Sequence, residues 1–429
     1  MMTFVSRFRR FLKNLGPGLI TGAADNDPSG IATHSTTGAR FGFGQLWTAL
    51  YLLPLLIAVQ EAVARIGAAS GMGLSRAIAT RYSRRVLTVA VLLVVVANTI
   101  NIGADISAVA AAITLIIPIP MPLVAAAFTI GVLSSEIWIG YRSYSRVLKW
   151  LSLALLAYPL TAIVVDAPWG EVIRAALVPH IEFTPAFLFL ITGVIGTTIS
   201  PYMFFWQASE EVEEERATNQ PPLTQVPLID AHRRMRAIRS DTIIGMVTAQ
   251  AAAFFIMVTT ATVLHNRGTT EIRTAADAAE ALEPLVNSFP NAGFIAKLIF
   301  AIGVVGLGAL AVPVLAGSTA YALAEAFEWP EGLDRTWAQA RRFYLIIAAA
   351  LLAGLLMNFI GIDPISALVF TAVFNGIASV PLIYLVNRLA CDRELMGSQV
   401  SGTWSRIGVW AAFVGITAAA IGTVVTIGR

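Results

Sequence analysis

Long apolar runs dominate the chain. They fall near residues 46–66, 86–116, 119–139, 147–165, 183–206, 241–264, 293–322, 343–360, 364–387 and 405–428, and a further run opens at Leu15. Each approaches or exceeds the roughly 20 residues that a helix needs to cross a bilayer's hydrocarbon core. The pattern predicts eleven membrane-spanning helices joined by short connections. One stretch breaks it. In 15–44, LGPGLITGAADNDPSGIATHSTTGARFGFG, the residues Asp25, Asn26, Asp27, Pro28, Ser29 and Gly30 arrive together in the middle of a span. Proline removes a backbone donor and glycine loosens the helix, so carbonyls and amides are freed at membrane depth, where they are tolerated only beside a cavity or packed protein. An ionisable residue at that depth is a functional-site hypothesis. The alternative is that the span ends at Ala24 and a loop follows, but 15–24 is far too short to cross.

The sixth span repeats the peculiarity. ITGVIGTTISPYMFFWQASEEVEEE carries Thr197, Thr198, Ser200 and Pro201 in its middle, with its charges beginning only at Glu210. It too is expected to be interrupted. The first and sixth spans then open two five-helix halves, 15–165 and 183–387, with 405–428 as an extra C-terminal span and the whole of 1–429 as one transmembrane domain. Broken helices in corresponding positions of two inverted halves point to a binding site near the bilayer midplane.

Composition agrees. With 57% hydrophobic and 13% charged residues and a mean hydropathy of +0.74, no soluble domain of useful size is left over. The formal net charge of +3 is spread over short loops, which excludes a nucleic-acid-binding stripe. Cys391 is the single cysteine, so there is neither a disulfide framework nor a cysteine-based metal cluster. The start, MMTFVSRFRRFLKNLGPGL, is basic like a signal peptide but lacks a convincing cleavage site, and is read as retained. Basic residues mark orientation. Arg7, Arg9, Arg10 and Lys13, then Arg76, Arg81, Arg84 and Arg85, then Arg142, Arg146 and Lys149, then Arg233, Arg234, Arg236 and Arg239, then Arg335, Arg341 and Arg342, and last Arg388, Arg393 and Arg406 fall on one side. The positive-inside rule makes that side cytoplasmic, with the N-terminus inside, the C-terminus outside and the protein multi-pass in the inner (plasma) membrane.

At this point the residues resemble the NRAMP divalent metal transporters. The family's first-span Asp-Pro-Gly-Asn is represented by Asp27, Pro28, Ser29 and Gly30, and its sixth-span Met-Pro-His-Asn by Ser200, Pro201, Tyr202 and Met203. QEAVARIGAASGMGLSRAI, RSYSRVLKWLSLALLAYPL, RSDTIIGMV and FNGIASVPLIYLV extend the likeness over nearly the whole chain. The resemblance implies an all-α, LeuT-like fold of five plus five inverted helices with an eleventh appended, and transport of transition-metal ions with protons. The departures matter as much. Of the family's metal-contacting side chains only Asp27 is retained, since Asn becomes Gly30 and Met becomes Ser200. The soft ligand is gone, and oxygen donors favour Mg²⁺, Ca²⁺ and Mn²⁺. That pattern is similar to the NRAMP-related magnesium transporters, and a site without bulky ligands suits a partly hydrated ion.

The expected metal site is Asp27 as direct carboxylate ligand, carbonyls near Thr197, and the hydroxyls of Thr197 or Ser200 as direct or water-mediated contacts, with the niche at Gly30. Asp25 is either a second negative charge or a structural carboxylate capping the broken helix. For Thr197, Thr198 and Ser200 the competing role is helix packing or back-bonding to carbonyls of the same helix. Asn98, Thr99, Asn101 and Asp105 sit in the third span, where the family would carry proton-transferring acids; they line a pathway or tie helices together. Glu61 and Arg65 read as an i, i+4 ion pair, Asn375 as an ion-hydrating or helix-joining amide, and the run from Glu210 to Glu215 as a solvated face rather than a cation-attracting vestibule. His34, His180, His232 and His265 are dispersed. The leading function is secondary uptake of divalent cations, Mg²⁺ or Mn²⁺ first, with no cofactor, the lipid bilayer as surroundings and a monomer as the working unit. A proton-coupled Mn²⁺/Fe²⁺ carrier of the ordinary family type is the alternative. A LeuT-like organic-solute carrier is disfavoured because Asp25 and Asp27 would repel a substrate carboxylate, and an enzyme because no nucleophile with base and no HExxH motif occurs.

Overall fold

The computed structural model describes residues 17–139, 155–359, 361 and 363–427, and every regular element among them is a helix. The basic N-terminal segment with Arg7, Arg9, Arg10 and Lys13, and the loop with Arg142, Arg146 and Lys149, lie outside the described residues. The first span is two helices, α1 (Pro17–Ala24) and α2 (Pro28–Phe41). Asp25, Asn26 and Asp27 separate them. Asp27 is the N-cap of α2, extended at φ −60° and ψ 169°, and Pro28 takes the first helical position, where its missing N–H leaves no bond unmade. One Asp-Pro pair therefore stops one helix and starts the next.

Six helices follow: α3 (Trp47–Ser70), α4 (Leu74–Arg81), α5 (Arg84–Thr114), α6 (Met121–Trp138), α7 (Ala157–Val164) and α8 (Trp169–Leu177). The sixth span is again two, α9 (Pro185–Thr198) and α10 (Pro201–Ala217), with Pro201 just inside the second. Then come α11 (Leu228–Val263), α12 (Ala292–Ala326), α13 (Arg341–Met357), α14 (Pro364–Ala390) and α15 (Thr403–Ile427). Among the described residues, eight helices are long and apolar enough to cross a membrane when α9 and α10 count as one. The other expected positions hold the broken α1–α2, the 17-residue α13 and α7, whose run begins outside the described residues.

The broken helices occupy the centre. The share of buried residues in the most apolar window is 89% for α9–α10 but 28% for α6 and 33% for α15, which therefore form the lipid-facing rim. α1 and α2 lie on α11, α9 lies on α14, and α5 packs against α12, α13 and α14. Glycine allows the closest approaches. A Cβ on Gly22 would stand 2.6 Å from the Gly245 Cα of α11, one on Gly18 would stand 2.7 Å from the Thr242 nitrogen, and one on Gly196 of α9 would stand 2.7 Å from the Gly376 Cα of α14. Both broken helices are thus seated backbone to backbone on their neighbours.

The acidic run of α10 is not the solvated face its composition suggests. Glu210, Glu211, Glu213 and Glu215 are buried and only Glu214 faces out. The reason is that α3 and α12 enclose α10 along its length. Buried carboxylates need partners. Glu215 pairs with Arg234 at 2.6 Å, Glu211 accepts from Gln207 at 2.8 Å, and Glu213 accepts from the Leu333 amide at 2.7 Å and from the Tyr321 hydroxyl. Glu61 and Arg65 form the expected pair, and Arg239 of α11 joins Glu61 at 3.0 Å.

Candidate functional site

The two interruptions meet. Ser29 Oγ lies 3.4 Å from Thr197 Oγ1, and the Tyr202 hydroxyl donates to the carbonyl of Ala24 at 3.0 Å, so each broken helix holds the end of the other. The carbonyls freed by the breaks are largely taken. Ser200 Oγ donates to the carbonyls of Gly196 (2.7 Å) and Thr197 (2.9 Å), and Ser379 of α14 donates to that of Ile199 (2.7 Å). Interrupted backbone at this depth is satisfied by hydroxyl side chains.

Asp27 stands at the junction, 1% exposed. Its Oδ1 accepts from the Gly30 amide at 2.7 Å and from Ser29 Oγ at 2.6 Å, and its Oδ2 accepts from Asn101 Nδ2 at 3.0 Å. Asp25 is buried as well. It does not cap the helix, a role Asp27 fills; its Oδ1 has no hydrogen-bond partner, and it lies close enough to Asp27 for their charges to repel. Asp105, one turn beyond Asn101 on α5, is fully buried, lies near Asp27 and the Ser29 backbone, and makes no hydrogen bond to another side chain. Among the described residues none of these three carboxylates pairs with a lysine or arginine. Carboxylates buried without a basic partner are costly in their charged form, and a proton or a cation relieves that cost.

The structure thus brings Asp25, Asp27, Gly30 and Thr197 together, with Ser200 one step away and its hydroxyl turned back on α9. Asn101 belongs to the site through Asp27. Asn98 does not: it donates to the Leu315 carbonyl and to Thr319 Oγ1, both at 3.1 Å, and ties α5 to α12. Thr99 bonds its own helix at Val95. Asn375 Nδ2 and His34 Nδ1 are buried without partners, and no three His, Cys, Asp or Glu side chains among the described residues form a closed metal cluster. Ser29 is the residue that the sequence reading missed. Its signal was a hydroxyl where the resembled motif carries glycine. A cavity of about 870 Å³ opens between α2, α5, α9 and α14, walled by Phe189, Leu190, Ile365 and Phe370 with Thr36 and Ser107 among its few polar groups. Its floor reaches Ala104, next to Asp105.

Two interrupted helices crossing around buried carboxylates define a membrane transporter of the broken-helix class. The sequence profile described as Nramp, natural resistance-associated macrophage protein-like, matches residues 18–426, and the chain belongs to that family. The divalent metal cation transporter MntH of Klebsiella pneumoniae is 26% identical over 406 residues, covering 92% of this chain and 90% of that protein. The crystal structure of the Eremococcus coleocola manganese transporter superposes with a TM-score of 0.78 at 19% identity, covering 98% of this chain and 88% of the other. MhsT, solved with L-phenylalanine, matches at a TM-score of 0.61 and 13% identity over 95% of this chain and 98% of its own, which places the fold in the LeuT-like class.

Proposed function

We propose that the protein carries divalent metal cations across the membrane, with Mn²⁺ as its principal cargo, through a site at the junction of the two broken helices. The observation that carries this reading is the set of three buried carboxylates, Asp25, Asp27 and Asp105, with no basic partner among the described residues. Family membership and the divalent-metal and manganese transporters among its relatives support Mn²⁺. Asp27 is the direct ligand; Thr197 supplies its hydroxyl, directly or through water; Ser200, whose hydroxyl is turned back on α9, contributes through water alone; Asp25 supplies charge; Gly30 supplies room. An organic carboxylate would be repelled by the same acids, and the likeness to MhsT is one of fold alone.

A second reading keeps Mg²⁺ as cargo or competitor. It rests on the donor set, which offers oxygen and no sulfur at positions 30 and 200, and hard oxygen sites admit both ions. Orientation with the N-terminus cytoplasmic, two inverted halves at 15–165 and 183–387, and a monomeric working unit complete the proposal.

Uptake of Mn²⁺ into proteoliposomes tests it. Asp27→Ala is expected to abolish saturable uptake while the purified variant keeps its helical content; near-normal uptake would remove Asp27, and with it this site. Competition of Mg²⁺ against Mn²⁺ on the unsubstituted protein decides between the two cargoes.

A further inference from the structure

The hydroxyl of Ser29 is among the best-placed oxygens in the site, and nothing in the functional reading uses it. Ser29 is 1% exposed and projects from the first turn of α2 toward α9. Beside it, Gly30 leaves a niche. The position a Cβ would take on Gly30 lies 3.3 Å from Thr197 Oγ1, 3.4 Å from the Asp25 carbonyl oxygen and 3.6 Å from Asp27 Oδ1, so beyond the adjoining residues and the backbone of α2 its three nearest neighbours are oxygens, drawn from both broken helices. We propose that the transported ion is held in this niche and that Ser29 Oγ is one of its direct ligands and a determinant of its selectivity. The proposal rests on the metal-carrier reading and deepens it.

The spacing fits. Ser29 Oγ is 2.6 Å from Asp27 Oδ1 and 3.4 Å from Thr197 Oγ1. Adjacent oxygens around an octahedral ion with bonds of about 2.1 Å are roughly 2.9 Å apart, between those two separations. The hydrogen bonding fits as well. Ser29 donates its proton to Asp27 Oδ1, which leaves its lone pairs for a cation, and a bound cation polarises the O–H and strengthens that same donation. Ligation therefore asks for no rearrangement at Ser29. Ser200 differs in direction: its hydroxyl is turned to the carbonyls of Gly196 and Thr197 on its own broken helix, not to Asp27.

The test replaces the hard oxygen with a soft sulfur of similar shape. Titration of the full-length purified protein with Cd²⁺ and Mn²⁺ is compared for the unsubstituted chain, Ser29→Cys and Ser200→Cys. If Ser29 Oγ touches the ion, Ser29→Cys raises the ratio of Cd²⁺ to Mn²⁺ affinity at least tenfold and brings a thiolate-to-cadmium absorption in the ultraviolet, and Ser200→Cys does neither. If Ser29 only positions Asp27, both affinities fall together and the ratio stays put, which overturns the proposal. A gain at Ser200→Cys but not at Ser29→Cys overturns it too. Should Ser29→Cys fail to fold, Ser29→Ala decides: Mn²⁺ affinity falls at least tenfold more than Cd²⁺ affinity if the hard hydroxyl is a ligand, whereas the two fall together or stay unchanged if it is not, which overturns the proposal. Loss of Mn²⁺ binding in Asp27→Ala together with an unchanged ratio in Ser29→Cys sinks the role of Ser29 alone, whereas Mn²⁺ binding that survives Asp27→Ala sinks the metal site itself.

Discussion

At the scale of single residues, two asparagines of one helix have separate tasks. Asn101 donates to Asp27 Oδ2 and so holds the carboxylate in place, while Asn98 bonds across to α12 and makes no hydrogen bond to the junction. A bond to a charged group is worth about 1.5–3 kcal/mol, and about 1.4 kcal/mol is a tenfold change in affinity. Asn101→Ala is expected to weaken Mn²⁺ binding roughly tenfold. Asn98→Ala should lower the melting temperature, since interhelical hydrogen bonds in membranes average about 0.6 kcal/mol each, and leave Mn²⁺ affinity unchanged. Calorimetric titration and thermal unfolding of both variants check the division. The sequence placed both residues in one span but could not separate them, because Asn98 and Asn101 lie only three positions apart and their partners come from elements distant in the chain. That Asp27 stands at the break was legible, because Asp-Pro in a membrane span interrupts the helix; that the Ser29 hydroxyl faces Thr197 was not, because a serine can equally bond within its own helix. For Ser200 the sequence left ligand and back-bonding both open, and the structure shows its hydroxyl turned back to Gly196 and Thr197.

At the scale of elements, the breaks were readable and their seating was not. Pro28 and Pro201 each occupy the first position of a helix, so the interruptions fall where Asp-Pro and Ser-Pro mark them. That α1 rests on α11 through Gly18 and Gly22 needed the fold. Valine at 22 must push the backbone of Gly245 away, and overpacking of that kind costs typically 1–3 kcal/mol. Gly22→Val is expected to cut Mn²⁺ uptake at least tenfold and to lower thermal stability. Gly131→Val on the rim helix α6, where a Cβ meets nothing within 4 Å, should do neither. Equal behaviour of the two variants would show that the seam is irrelevant to transport. The acidic end of α10 was misread for a related reason: a run of glutamates looks solvated until one sees that α3 and α12 wrap it and that Arg234, Tyr321 and Gln207 supply its partners.

At the scale of the molecule, the driving force is at issue. Tyr202 stands where the resembled family carries histidine; its hydroxyl is buried and donates to the Ala24 carbonyl, and a phenol holds its proton at neutral pH. An inside-negative potential favours inward movement of a divalent cation by about 4.6 kcal/mol per 100 mV, twice the single-charge value, so no second ion is needed. Mn²⁺ uptake by proteoliposomes should therefore rise with imposed potential and bring no stoichiometric acidification of the lumen. Acidification in step with Mn²⁺ would instead assign proton traffic to Asp25 or Asp105. The glycine seams bear on a different question, that of descent. At Gly22 and Gly196 any side chain intrudes on a neighbouring backbone, which cannot rotate aside, whereas at Gly30 nothing lies within 3.0 Å of a Cβ and two of the three neighbours are side-chain oxygens that can turn. Descent can therefore vary the two independently: a change at Gly30 alters what faces the junction and leaves the seating of the broken helices as it was, while a change at Gly22 or Gly196 alters the seating itself.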